Sequence, residues 1–138
     1  MPAFADIVAD FEFLEEWDDR YKYIIDLGRT LPPYPEDLRD EAHKVRGCAS
    51  QVWFAPSLEA KNGRKVLRFK GDSDAHIVKG LVALLFALYE EKTPDEALTV
   101  DARAALEPLD LDNHLTPQRS NGLASMVKRI REIAGSNR

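Results

Sequence analysis

Residues 51–74 read QVWFAPSLEAKNGRKVLRFKGDSD, and the fold class follows from how this stretch is patterned. Two runs rich in β-branched and aromatic residues, QVWFAPSLEA and RKVLRFKG, lie on either side of Lys61-Asn62-Gly63. Asn-Gly between two such runs is a strong signal for a tight β-hairpin. Pro56 has no amide hydrogen for a ladder, so the first strand is expected to be short of a donor and near an edge or bulge. GDSD at 71–74 then closes the sheet and opens a helix over roughly 74–90. Ser73 or Asp72 is suited to cap that helix, and Asp74 to its positive end. The helix contains IVKGLVALLFALY (77–89), apolar on most sides, and is therefore expected to be the central buried one.

Working outward toward the N-terminus, LPPYPEDLRDEAHK (31–44) has three prolines and is expected to be extended or turning. Before it, Trp17, Tyr21, Ile24 and Ile25 give an amphipathic helix over about 15–27, with Gly28 as its stop. Ile7, Phe11 and Leu14 mark a shorter helix ahead of that. Toward the C-terminus, TPDE (93–96) combines a Thr cap, a first-turn proline and a Glu three residues on, so a short helix begins there. Another is expected around 101–107, and Thr116-Pro117 starts the last, with Leu123, Met126, Val127, Ile130 and Ile133 facing inward. Helices, an antiparallel hairpin-based sheet of about three strands, then helices again make an α+β layout. The third strand has no place in the pattern.

No repeat or linker divides the 138 residues, which are expected to form a single domain over 1–138. The net charge of −5 gives no general attraction to nucleic acid or to anionic membranes. The basic residues are scattered except for KRIR at 128–131, which reads as the wet face of a helix. The longest apolar run contains Lys79 and is too short to span a bilayer. The acidic start, with Asp6, Asp10 and Glu12, lacks the basic region of a signal peptide. A single cysteine cannot form an internal disulfide and fits a reducing compartment, so the cytoplasm is the expected location.

That cysteine, Cys48, lies in KVRGCASQVWF (44–54), between the proline-rich segment and the first strand. It is outside any apolar periodicity, and Gly47 allows a backbone conformation that presents a side chain at a loop tip. His43, Lys44 and Arg46 are close in sequence, and a neighbouring cation favours the nucleophilic thiolate. A lone cysteine is also commonly a small buried hydrophobe. Local chemistry leaves both readings open. Cys48, His43, His76 and His114 show no metal-site spacing, and no metal site is expected. His114 beside Asn113 offers a cysteine-hydrolase pairing, though without an oxyanion-hole signature. Disulfide chemistry would want a resolving cysteine. What stays open to one thiol is accepting a group from another molecule and handing it on.

RYKYIIDLG (20–28), LP (31–32), VRGCASQVW (45–53), GDSDAHIVKGL (71–81), TP (93–94) and HLTPQRSNGL (114–123) together resemble the SufE/CsdE family of sulfur-acceptor proteins of iron–sulfur cluster assembly. The resemblance covers nearly the whole chain and implies a fold like that of IscU-type scaffolds, an antiparallel sheet with helices packed against it. It implies that Cys48 accepts persulfide sulfur from a cysteine desulfurase of the SufS or CsdA type, stimulates that enzyme by emptying its cysteine, and relays the sulfur to an iron–sulfur scaffold. Pyridoxal phosphate would belong to the desulfurase, and no cofactor is expected on this chain. Gly47, Ser50 and Gln51 would support the loop, while Asp74, His114 and Arg119 are candidate partner contacts. The hairpin geometry also brings Asp74 toward the Cys48 loop. A monomer or weak homodimer is expected. An IscU-like cluster or metal scaffold and an independent cysteine enzyme are the alternatives. A scaffold needs several cysteines where this chain has one.

Overall fold

The computed structural model describes residues 2–138. Strands β1 (Val52–Lys61) and β2 (Arg64–Ser73) form one antiparallel hairpin in unbroken register, from Val52 opposite Ser73 to Lys61 opposite Arg64. Asn62 and Gly63 both have positive φ, 53° and 76°, the conformation of a type I′ turn. Pro56 lies opposite Phe69 without a bulge. Its missing donor is tolerated because each strand of a two-stranded sheet has an unpaired edge.

Among the described residues there are two strands, where about three were expected. What takes the third place is one antiparallel bridge between Lys44 and Trp53, with the Val45 amide donating to the Val52 carbonyl at 2.8 Å. On the opposite edge the Leu67 amide donates to the Lys92 carbonyl at 2.8 Å. Both edges are thus engaged by single loop residues rather than by further strands.

Helix α1 spans Phe4–Phe13 and buries Ile7 and Phe11; α2 spans Trp17–Gly28. Gly28 ends α2 as expected, but for a different reason. A Cβ there would lie 2.7 Å from the Gly80 amide nitrogen, and one at Gly80 would collide with the Ile24 carbonyl. The two glycines let α2 pack backbone to backbone on α3 (His76–Leu88), the central helix, which is buried from Leu81 to Leu88. The start of α3 also departs from expectation. Its cap is Ala75, without a side-chain cap bond. Asp72 and Asp74 are drawn to other partners, and the Ser73 hydroxyl accepts from the Ala75 amide at 3.3 Å just ahead of the helix.

Helix α4 (Pro94–Thr99) has the expected Thr93–Glu96 capping box. Helix α5 (Ala102–Leu106) is capped by Asp101, and α6 (Pro117–Ser136) by Thr116. Leu123, Met126, Ile130 and Ile133 of α6 join the main core with α3, while Val127 of the expected stripe is only partly buried. No helix among the described residues is long and apolar enough to cross a membrane.

The proline-rich segment is more structured than its prolines suggest. Two 3₁₀ turns, Glu36–Leu38 and Glu41–His43, fold it over the hairpin face opposite α3. There Tyr34, Trp53 and Ala55 form a second small cluster. The Arg39 guanidinium lies 5.3 Å from the Tyr34 ring and 5.1 Å from Trp53, and it pairs with Asp72 at 2.5 Å.

Candidate functional site

Cys48 sits where the segment leaving the 3₁₀ turns crosses the first turns of α6 before entering β1. The crossing requires Gly47 at φ +90°, a region closed to most side chains. A Cβ on Gly47 would lie 2.5 Å from the Ser125 hydroxyl, which itself donates to the Gly47 carbonyl at 3.3 Å. One residue on, Cys48 is half-buried against Gly122, and its thiol donates to the Gly122 carbonyl at 3.6 Å. Gly122 and Ser125 are three residues apart and therefore share a helix face, giving a flat track for the loop. Neither was singled out from the sequence. Both are small residues three apart on a helix, but only the crossing segment gives that spacing a meaning.

The far side of the loop is tied to the end of the hairpin. The Asp74 carboxylate accepts from the Gln51 amide at 3.0 Å, and the Asp74 amide donates to the Gln51 carbonyl at 3.3 Å. Asp74 therefore reaches the cysteine loop and does not serve the helix start. Gln51 supports the loop through its backbone, with its side chain exposed. Ser50 is half-buried.

Below this tie lies Asp72, which is 9% exposed. Burial by itself raises its pKa, but bonds from Arg39 and the Ser73 amide, with Lys79 at 3.4 Å, outweigh that and hold the carboxyl below its usual range. Trp53 is buried in the small cluster over Arg39 rather than in the main core.

The cations near Cys48 in sequence do not activate it. His43 is turned to Asp40 at 2.7 Å, while Lys44 and Arg46 share Glu41 at 3.9 and 3.5 Å. Burial pushes the Cys48 thiol up, so the resting side chain holds its proton and donates it to Gly122.

Arg119 is half-buried, because α2 comes close enough for its guanidinium to donate to the Tyr21 hydroxyl at 2.8 Å. It lies one turn before Gly122 on α6. His114 is stacked on Trp17 with ring centroids 3.9 Å apart, and its Nδ1 faces the Asp110 carbonyl at 3.1 Å. It makes no hydrogen bond to Cys48 among the described residues, so the hydrolase pairing does not form. Among those residues, no three His, Cys, Asp or Glu side chains converge as a metal-binding group. The arrangement is one protonated, half-sheltered thiol on a loop latched at both sides.

The SufE family profile, described as an Fe-S metabolism associated domain, matches residues 5–134. The chain is 47% identical over 134 residues to an uncharacterised SufE-like protein of Rhizobium etli, covering 97% of this chain and 90% of that protein. It is 45% identical over 134 residues to an uncharacterised SufE-like protein of Rhizobium meliloti, covering 97% and 96% respectively. A solution structure of a hypothetical protein from Thermus thermophilus has the same fold, with a TM-score of 0.73, 20% identity, and coverage of 97% of this chain and 94% of that one. A profile match over nearly the whole chain and relatives at this identity show that the chain belongs to the SufE family, a family linked to iron–sulfur metabolism.

Proposed function

We propose that this protein accepts sulfur at Cys48 from a pyridoxal-phosphate-dependent cysteine desulfurase, stimulates that enzyme by emptying its cysteine, and relays the sulfur to an iron–sulfur scaffold. The observation that carries the reading is the chain's single cysteine, held half-buried on a latched loop in a SufE-family chain. Cys48 first gives up its thiol proton to solvent. Its thiolate then attacks the terminal sulfur of the desulfurase persulfide, a Cys48–sulfur bond forms, and the partner's sulfur–sulfur bond breaks with its cysteine leaving as thiolate. One sulfane sulfur changes hands with no net oxidation or reduction.

The raised thiol pKa fits a resting state that avoids stray oxidation, since the thiolate is the form that reacts. Leaving the Gly122 carbonyl for the partner's site removes part of that burial and eases ionisation. Asp74 and Arg119, at the loop's two flanks, are proposed to meet the desulfurase, and so is His114, stacked on Trp17. The chain is proposed to act in the cytoplasm and to carry no cofactor of its own.

The test is to incubate the protein with desulfurase and isotopically labelled cysteine and measure its intact mass. One added sulfur on the native chain, absent from Cys48→Ser, is the expected outcome. No sulfur on Cys48 overturns the reading.

A further inference from the structure

Beside the Cys48 loop, a cleft of about 410 Å³ opens between the 3₁₀ turn at 41–43 and α6. Its walls carry Lys44, Arg46, Lys128 and Arg129 against Glu41 and Glu132, four cations to two carboxylates. That leaves two positive charges together on a chain whose net charge is −5. The ion pairs inside it are long and wet. Arg46 and Glu41 are 3.5 Å apart with side chains 77% and 72% exposed, and Arg129 and Glu132 are 3.8 Å apart. Lys128 has no ion-pair partner among the described residues. Pairs of this kind hold little energy and exchange readily for better ones.

We propose that this cleft receives an acidic segment of the desulfurase that delivers sulfur to Cys48, a proposal that rests on the function assigned above. The cations sit on long flexible stems from two separate elements, the segment that follows the 3₁₀ turn and α6. That arrangement matches a carboxylate-bearing protein surface rather than a small bound anion. A nucleic acid strand would extend beyond the cleft onto a chain of net negative charge. The cleft also adjoins the thiol loop. Arg46 directly precedes Gly47, and Ser125, which lines the cleft, is the residue whose hydroxyl holds the Gly47 carbonyl. A partner seated there touches the residues on both sides of that latch, so docking and release of Cys48 are linked.

The experiment titrates purified desulfurase by calorimetry against native protein, the double reversal Arg46→Glu/Lys128→Glu, and a control reversal of equal charge, Lys65→Glu/Lys70→Glu, on exposed hairpin positions. The cleft reversal is expected to weaken binding about tenfold and the control less than about twofold. Native binding is expected to weaken between about 0.05 and about 0.3 M salt, and the cleft variant to lose most of that dependence. Equal losses for the two reversals overturn the proposal. So does unchanged desulfurase binding together with lost binding of a single-stranded RNA oligonucleotide. If the double variant does not fold, Lys128→Glu alone, at an exposed helix position, is read for a loss of about threefold, and a loss no larger than that of Lys65→Glu overturns the proposal. Sulfur loading is read separately by mass on the same samples at saturating partner. A native chain that binds through the cleft but takes no sulfur overturns the relay function and leaves the cleft result intact.

Discussion

At one end of the hairpin, Asn62 and Gly63 turn the chain in open solvent; near the other, Gly47 leads it into Cys48 against α6. Both glycines have positive φ, 76° and 90°. A Cβ on Gly63 would meet nothing within 4 Å, whereas one on Gly47 would meet Ser125 at 2.5 Å. The first glycine answers to its neighbours in sequence. The second answers to a helix that begins far along the chain, at Pro117. Two backbone conformations of the same kind therefore carry different consequences: a fault at the turn costs local strain, and a fault at the loop also moves the thiol.

The strongest way to break the cysteine end is to remove the charge beneath it. Asp72→Ala leaves Arg39 and Lys79 without their shared carboxylate at a position only 9% exposed. Both cations keep some solvent, so the loss is expected at about 2–3 kcal/mol, below that of a fully buried pair, measured by urea unfolding. The acid limb carries the same signature. Asp72 titrates below its unfolded value in the folded state, so its contribution is present above the ordinary carboxylate range near pH ~4 and is lost as pH falls through the depressed folded pKa. Native protein should lose stability across that window more steeply than Asp72→Ala. Parallel acid limbs would count against the assignment.

Gly47→Ala comes next, at about 2 kcal/mol, from left-handed strain plus the broken bond between Ser125 and the Gly47 carbonyl. It should also change the rate at which iodoacetamide alkylates Cys48. Gly63→Ala is the matched comparison: about 1 kcal/mol of destabilisation with an unchanged alkylation rate. Equal alkylation rates in the two variants would dissolve the distinction between the ends. The smallest effect belongs to Ser125→Ala, about 0.5 kcal/mol from one exposed hydrogen bond, with alkylation of Cys48 faster by roughly twofold as the loop loosens. In the Gly47→Ala background the same change should cost less, because the bond it removes is already broken and the nearest colliding atom goes with it.

Much of the fold was legible because its causes are local. Asn62-Gly63 between two β-favouring runs, the Thr93–Glu96 capping box and Thr116-Pro117 are short-range signals, and each has the structure it predicts. Resemblance in several blocks identified the family and drew attention to Cys48. What went unread has partners elsewhere in the chain. Gly28 reads as a helix stop and does end α2, but the close approach to Gly80 that its missing side chain permits does not show in the sequence. Asp74 reads as a helix-start residue, yet its carboxylate holds Gln51. Tyr34 and Arg39 read as part of an irregular proline-rich segment, because two 3₁₀ turns are too short to show a period, and they cover Trp53.

From the amino-acid sequence alone came the hairpin, the order of helices, the single thiol and its place in a loop, all set by propensity, turn chemistry and composition acting over a few residues. The tertiary structure decided the state of that thiol. His43, Lys44 and Arg46 are adjacent in the chain but directed to Asp40 and Glu41, so proximity in sequence supplies no field at the sulfur. Gly122, from the last helix, supplies burial and a carbonyl instead, and these keep the proton on Cys48. The reason is physical: an ionisable group responds to the charges and dielectric within a few ångströms, and packing alone determines what those are.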